Sequence, residues 1–308
     1  MSSEVAVLVL NYNGLNHLSY SIPNILSNQK STFDLIVIDN NSSDKSLNYL
    51  NDNFKIKIIE SNINLGYAGG NNLGLKYVLQ NDYKYVIIAN NDILVSPNWV
   101  SDPLSYMIKN PEVGCLGYNI FGEYSKVDKS LFFDAASNYK NFEIKEVENI
   151  PGMLMFIRVE ILKRVGLFDD VMFMYGEEDD LEYRIKECGY KIVKSNIPIW
   201  HFSEGTTSKY IPIKSSYLTY RNNLRSYIKF SNFFQFTYNS LAALKSVLFN
   251  KIPEEVNSNV LIRRKYPTNN RFILFYIVAK AVAWNLLNYF KTKRTRKKEI
   301  YVRDNSNN

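Results

Sequence analysis

Apolar and polar positions follow a repeating order through the first half of the chain: an apolar run of strand length, a polar or glycine-rich turn, then apolar residues at helical spacing. Val5 to Leu10 (VAVLVL) is the first run, followed by Asn11-Tyr12-Asn13-Gly14 and then by Leu15, Leu18, Ile22, Ile25 and Leu26 on one helical face. Leu35 to Ile38 is the second run. It ends in Asp39-Asn40-Asn41-Ser42-Ser43-Asp44, where Ser43 or Asp44 is placed to cap a helix through Leu47 and Leu50. Ile56 to Ile59 leads into the stretch Asn62 to Asn72 and a helix through Leu73, Tyr77 and Val78, and Tyr85 to Ala89 ends in Asn90-Asn91-Asp92. Continuous apolar strands joined by helices predict an α/β fold, a mostly parallel sheet flanked by helices. Polar residues collect where each strand stops, which is the edge at which open α/β sheets bind ligands.

Beyond residue 113 the rhythm weakens, and Phe121 to Lys145 reads as a loop or irregular hairpin. Pro151 to Arg158 restores an apolar strand. A short helix at Ile161 to Val165 follows, then Gly166-Leu167-Phe168-Asp169, an acidic-headed helix from about Glu177, and a strand pair at Tyr190–Val193 and Ile197–His201. No internal repeat and no Gly/Ser/Pro-rich linker precedes residue 250.

Composition narrows the class. Of 308 residues, 46% are hydrophobic and 22% charged, which excludes global disorder. Two cysteines, Cys115 and Cys188, are too few for a disulfide framework and lie in no metal-ligand pattern, so reduced thiols are expected. The first fifteen residues hold a strand-like run and no basic, apolar leader, so no secretory signal is expected. The net charge of +7 is unevenly spread: residues 1–250 carry 24 basic and 26 acidic groups, residues 251–308 carry 13 and 4.

Four segments carry candidate chemistry. Asp39 ends a buried strand, where a carboxylate can accept hydrogen bonds from the N–H groups of a nucleobase. Asn64 to Gly74 is rich in glycine and asparagine ahead of a helix, a pattern that lets backbone N–H groups approach phosphate. Its spacing fits neither the dinucleotide fingerprint nor a P-loop. Asn90-Asn91-Asp92 offers oxygen ligands to a hard divalent cation, Mg²⁺ or Mn²⁺. Glu177-Glu178-Asp179-Asp180 suits a helix N-terminus, yet the mutual repulsion of four carboxylates raises the pKa of at least one, as a general base requires. His201, at a strand end, is a candidate metal or phosphate ligand.

In order and spacing these motifs resemble the family 2 inverting glycosyltransferases with a GT-A fold, in their rhamnosyltransferase-like branch. The likeness runs over about residues 4–225. It rests on Val9 to Gly14, Ile38 to Asp44, Asn64 to Gly74, Asn90-Asn91-Asp92, Gly166 to Asp169, Met174 to Leu181, Arg184, Gly189-Tyr190 and His201. The resemblance implies that Asn11, Tyr12 and Asp39 hold the base and ribose of a nucleotide-sugar, and that Asn64, Gly69, Asn72 and Asn91 lie against the donor. It implies that Asp92 is the last acid of the family's DxD metal motif, here reduced to Asn-Asn-Asp, and that His201 helps hold metal or diphosphate. Glu178 matches the family's general base, with Glu177 or Asp180 as alternatives. Tyr217, Tyr220, Arg221 and Asn222 resemble an aromatic-Arg-Asn element that lies near the acceptor or acts as a structural lid. The implied enzyme moves a sugar from dTDP-rhamnose or a UDP-hexose to a hydroxyl of a lipid-linked or cell-surface glycan. A non-catalytic sugar-nucleotide-binding subunit of a glycan assembly complex is the alternative.

The expected layout is a catalytic domain over residues 1–225 and a helical, basic region over 226–308. Residues 272–290 are almost long enough to cross a bilayer, but Lys280 lies mid-segment, and Lys280, Trp284 and Asn288 share a helix face. That favours a helix lying in the interface, followed by the basic cluster Lys291 to Lys298 against an anionic leaflet. A peripheral position on the cytoplasmic face of the cell membrane is therefore expected. No recognition motif for nucleic acid is present.

Overall fold

The computed structural model describes residues 3–28, 33–122, 129–202, 213–249 and 270–305. The four apolar runs of the first half become β1 (Val5–Asn11), β2 (Asp34–Asp39), β3 (Lys57–Glu60) and β4 (Tyr85–Asn90), with α1 (Leu15–Ser27), α2 (Ser46–Asn53) and α3 (Gly66–Leu79) between them. Then come β5 (Ile93–Val95), α4 (Ser101–Lys109), β6 (Val113–Phe121), α5 (Lys129–Asn138), β7 (Ile144–Glu146), β8 (Leu154–Arg158), α6 (Val159–Val165), α7 (Glu177–Glu187) and β9 (Lys191–His201). The chain continues with α8 (Ile213–Phe230), α9 (Phe233–Phe249), α10 (Arg271–Leu287) and α11 (Tyr289–Asn305).

All nine strands join one sheet in the order β3-β2-β1-β4-β8-β6-β9-β5, with β7 also paired to β9. The β3-β2-β1-β4 part is parallel throughout. Beyond it the sheet is mixed: β8 runs antiparallel to β4 and β6, β9 runs parallel to β6, and β5 and β7 run antiparallel to β9. Alternate residues of β1 supply the two faces. Val5, Val7 and Val9 pack with Leu18, Ile22 and Ile25 of α1, whereas Ala6 and Leu8 pack with Ala68, Leu75 and Val78 of α3. Both faces are dry, which is why these runs are continuously apolar.

Three elements differ from the sequence expectation. The glycine-rich stretch is not a loop ahead of a helix, since α3 already begins at Gly66. The stretch from Phe121 to Lys145 contains α5, anchored by the buried Phe132, although residues 123–128 lie outside the described residues. The expected strand pair at Tyr190–His201 is one continuous strand, β9, which exchanges partners along its length and so tolerates Pro198.

The chain divides into two compact units: Met1–Val171 with Glu178–Gly205, and Met172–Glu177 with Thr206–Asn308. Residue 225 lies inside α8, within the second unit. That unit is held by an apolar cluster of Leu224, Ile228, Phe236 and Ala281, and by buried polar links. Arg225 donates to Thr292 Oγ1 at 2.6 Å, and the Lys229 ammonium meets Glu299 Oε1 at 2.6 Å. No single described helix is long and apolar enough to cross a membrane. The stretch expected as one helix over 272–290 breaks at Asn288, where α10 and α11 bend by 63°. There the Asn288 side chain donates to Trp284 O at 2.8 Å, local bonding that competes with helix continuation. The half-buried Trp284 carries the guanidinium of Arg221 4.8 Å from its ring.

Candidate functional site

The parallel strands bring their polar ends together. In register, Asn11 of β1 lies beside Asp39 of β2, and Leu10 beside Asn90 of β4. Asn11 is fully buried, and its amide donates toward Asp39 Oδ1 (3.1 Å), Ser46 Oγ (2.9 Å) and Ser42 Oγ (3.1 Å) while accepting from Asn91 Nδ2 at 2.8 Å. Asp39, 3% exposed, also accepts from the Ser42 backbone N–H at 3.0 Å. Gly14 is required by this network. A Cβ built there would stand 2.0 Å from Asn91 Nδ2 and 2.4 Å from Asn11 Oδ1, so any side chain would displace that hydrogen bond. Tyr12 is exposed at the rim. Asp44 binds both helix starts, accepting from Leu15 N (3.0 Å) and Ser46 N (2.9 Å), and these bonds outweigh its partial burial and hold its carboxyl below the ordinary range.

The glycine and asparagine stretch has a different task from the one expected. Gly70 lies against the sheet, where a Cβ would approach Leu10 Cδ1 to 2.6 Å, and Gly69 packs over Leu65. Gly70 thus admits the helix to β1, and Gly69 admits Leu65 at the helix start. Asn64 accepts from Gly66 N at 2.8 Å and from Asn40 Nδ2 at 3.2 Å, fixing the turn into α3. Asn72 is spent on the Phe168 backbone, donating to its carbonyl at 2.9 Å and accepting from its N–H at 3.1 Å. Its amide therefore holds the turn after α6 and is not directed at a ligand. Asn40, which no sequence pattern singled out, closes the group by accepting from Leu65 N and donating to Gly66 O.

Asp92 and His201 are 109 positions apart and meet because β5 pairs antiparallel with β9, in register Ile93 to His201. His201 Nε2 lies 3.2 Å from Asp92 Oδ1, and the side chain of Asn90 is 3.5 Å from the same nitrogen. Burial raises the pKa of Asp92, but the hydrogen bond with His201 and the electrostatic pull of His201 and then His17 outweigh it and hold the carboxyl below its usual value. The two histidines of the chain thus both act on one carboxylate. An anionic oxygen and an imidazole nitrogen 3.2 Å apart, almost withdrawn from water, are a donor set that fits one hard or borderline divalent cation.

The four consecutive carboxylates at the head of α7 separate into distinct environments. Asp180 is buried against Arg184, which meets Asp180 Oδ2 through Nη2 at 2.7 Å and Nε at 2.9 Å and also donates to Val165 O (2.5 Å) and Leu167 O (2.8 Å). Its carboxylate is thereby held in a structural ion pair, which argues against the alternative that Asp180 is a base. Glu177 is buried at the first position of the helix. Asp179 is the group whose pKa rises, to about 7, through burial and then the charge of Glu178, against a hydrogen bond from Asn149. Glu182, one turn on and buried, is pushed well above its usual value by burial and by Asp179, while accepting from Ile150 N at 3.1 Å. The rise expected somewhere in the four-carboxylate cluster thus falls on Asp179, whereas Glu182 lies outside that cluster and is drawn in only because the fold packs it under Ile150. Glu178 is half-buried beside Gly152, where a Cβ would come within 3.3 Å of it.

Within the second unit, Asn222 donates to the carbonyls of Met172 (2.9 Å), Met174 (2.9 Å) and Tyr175 (2.7 Å), and Arg221 Nη2 to Met172 O (2.8 Å). The segment they grip carries three left-handed residues, Phe173, Tyr175 and Gly176, with φ of 64°, 74° and 90°. Arg221 and Asn222 therefore clamp this strained backbone segment within the second unit. Tyr220 packs into the apolar clusters of the helical unit.

The model of the family described as "Glycosyl transferase family 2" matches residues 6–166, just over half of the chain. The chain belongs to glycosyl transferase family 2. It is 24% identical over 197 residues to the low-salt glycan biosynthesis hexosyltransferase Agl10 of Haloferax volcanii, covering 60% of this chain and 62% of that protein. It is 30% identical over 117 residues to a glycosyltransferase of Haemophilus influenzae, covering 37% and 35%. The chain thus spans less than two thirds of the length of these curated relatives. The fold is similar to the mannosyltransferase PcManGT of Pyrobaculum calidifontis in complex with GDP-Man and Mn²⁺ (TM-score 0.55, 13% identity, 99% of this chain and 86% of that one). It is also similar to S. aureus TarS 1–349 in complex with UDP-GlcNAc (TM-score 0.54, 15% identity, 99% and 91%). This family 2 chain accordingly has a GT-A-like fold, with a mixed sheet flanked by helices and a helical C-terminal extension.

Proposed function

We propose that this family 2 chain is an inverting glycosyltransferase that moves a sugar from a nucleotide-sugar to an acceptor hydroxyl. The observation that carries the reading is the convergence of Asp92 and His201 at the edge where β1, β2 and β4 also present Asn11, Asp39 and Asn90. Asp39 and Tyr12 are assigned to the base and ribose, with Asn11 and Asn91 holding Asp39 in place. Asp92 and His201 are the residues that would hold a divalent cation, which when bound neutralises charge developing on the departing diphosphate. Glu178 accepts the proton of the acceptor hydroxyl as its oxygen bonds to the anomeric carbon. The bond from that carbon to the diphosphate oxygen breaks on the opposite face, and its electron pair leaves with the nucleotide. Asp179 and Glu182 keep the Asn149–Gly152 turn beside Glu178. A hexose donor is favoured by the hexosyltransferase relative and by GDP-Man and UDP-GlcNAc in similar structures. The rhamnosyltransferase-like motifs keep dTDP-rhamnose among the donors, and a lipid-linked or cell-surface glycan is the acceptor class.

A panel of dTDP-, UDP- and GDP-sugars, read by thermal shift with and without Mn²⁺, tests the core of this reading. A matching donor at about 100 times its Kd adds about 2.7 kcal/mol, or roughly 5–10 °C for a domain of this size. His201→Ala is expected to remove the Mn²⁺-dependent part of that shift. Stabilisation by none of the sugars overturns the assignment.

A further inference from the structure

Helices packed in a soluble bundle turn their apolar residues inward. In the C-terminal unit α9 and α10 do this and then carry a second apolar stripe on the outside. Along α9, Phe236, Ser240 and Val247 face in, while Phe234, Tyr238, Leu241 and Leu248, spaced by four, three and seven, are exposed. Along α10, Leu274, Ile277, Val278 and Ala281 face in, while Phe272, Tyr276 and Leu287 stand out with Phe290 just beyond. Phe272 and Leu287 are 87% and 88% exposed. Two such stripes exceed the scattered apolar residues of an ordinary surface. Directly after Phe290 the outward side of α11 turns cationic, with Lys291, Arg294 and the adjacent Lys297 and Lys298 exposed within about two turns. The only described acid of α11 before Asp304, Glu299, is engaged by Lys229 and Arg296 and offsets the unit's own cations.

We infer that the outward faces of α9, α10 and α11 form a docking surface for an anionic phospholipid bilayer, on which α9 and α10 lie without crossing. The charge pattern selects this occupant. A bilayer interface supplies an apolar layer for the aromatic and leucine side chains and, a few ångströms above it, a layer of anionic headgroups for the cations of α11. A second copy of the chain seated on the same face pairs the surface with itself and so sets cations against cations. Neither α9 nor α10 alone is long and apolar enough to span, and α10 with α11 reaches that length and composition only as a pair bent by 63°. The inference is independent of the donor chemistry and goes beyond the proposed transfer reaction.

Co-sedimentation of the full chain with sucrose-loaded vesicles tests it, comparing phosphatidylcholine alone with phosphatidylcholine containing about 30 mol% phosphatidylglycerol. Binding is expected to the anionic vesicles, at least tenfold stronger than to the neutral ones, and weakened between about 0.05 M and about 0.5 M salt. Lys291→Ser with Arg294→Ser and Lys298→Ser is expected to lower it roughly a hundred-fold, about five-fold per charge. Leu287→Ser with Phe272→Ser is expected to lower it on both vesicle types. All five positions are surface sites, the thermal midpoint checks their folding, and the salt titration of the unaltered chain needs no variant. Equal or absent binding to the two vesicle types overturns the inference, as does a dimer in sedimentation velocity that is lost with Leu287→Ser while vesicle binding is nil. Tighter retention on duplex DNA than on anionic vesicles also overturns it. Donor thermal shifts on the same preparation keep a failure here separate from a failure of the proposed reaction.

Discussion

Glu178→Gln and Asp180→Asn, two changes two residues apart in one helix, are expected to have opposite consequences. Asp180→Asn removes the charge partner of a buried Arg184 whose guanidinium meets it at 2.7 and 2.9 Å. The bonds from Arg184 to Val165 O and Leu167 O remain, but the buried guanidinium loses the carboxylate charge that meets it at 2.7 Å. Breaking a buried pair in this way costs about 3–5 kcal/mol, which lowers the melting midpoint by roughly 6–20 °C for a domain of this size. Glu178 is half-buried, and Gln is nearly isosteric with it. Glu178→Gln therefore shifts stability by no more than about 0.5 kcal/mol, but it removes a general base, which lowers kcat about 10²–10⁴-fold. Both variants are followed by circular dichroism melts and by release of nucleoside diphosphate from the stabilising donor, at a temperature well below the midpoint of the weaker one. Asp180→Asn is expected to retain most turnover there while melting early. Unchanged turnover in Glu178→Gln refutes the assigned base. An Asp180→Asn chain that melts like the parent and yet loses turnover moves the role to Asp180.

Gly14→Ala places a methyl group where Asn91 and Asn11 exchange their hydrogen bond, so a loss of about 1–3 kcal/mol in denaturant unfolding is expected together with a raised donor KM. Asn72→Ala removes both bonds to the Phe168 backbone and is expected to destabilise by about 1–3 kcal/mol while leaving donor affinity, read by thermal shift, within about two-fold. Asp179 titrates near 7 when folded and at about 3.8 when unfolded, so the native state holds the extra proton between these values. Its contribution to stability is complete below about pH 3.8 and is lost as pH rises to about 7. Unfolding free energy is thus expected to fall by roughly 1–3 kcal/mol, after discounting for partial exposure, between pH 5 and pH 8. Asp179→Asn should flatten that slope, provided Glu178, Glu182 and Lys186, the groups around it, are unchanged.

Much of the fold was legible in the chain because burial on both faces of β1, β2 and β4 demands uninterrupted apolar runs, and the polar residues that stop those runs mark the ligand edge. The same local signals located Asp39, Asp92, His201 and the acids of α7. They failed where a residue type serves two purposes. The glycines of α3 read as a phosphate loop, but Gly70 faces Leu10 and Asn40, because close packing of a helix on a strand needs a missing side chain as much as a phosphate does. Asn72 reads as a donor contact and Asn222 as part of an acceptor-side or lid element, and the fold bonds both to backbone carbonyls, since an amide side chain is equally suited to either.

Local sequence by itself determined the strand and helix order as far as β4, the family motifs and the concentration of positive charge after residue 250, because each depends only on composition and short-range periodicity. Tertiary structure alone decided which groups share a site. The pairing of β5 with β9 brings Asp92 to His201, and Arg184 withdraws Asp180 while leaving Glu178 beside Gly152. It also decided which side of α9 and α10 is covered: both sides of these helices are apolar, so periodicity assigns neither to the core, and only packing against α8 leaves one row of aromatic and leucine side chains outside.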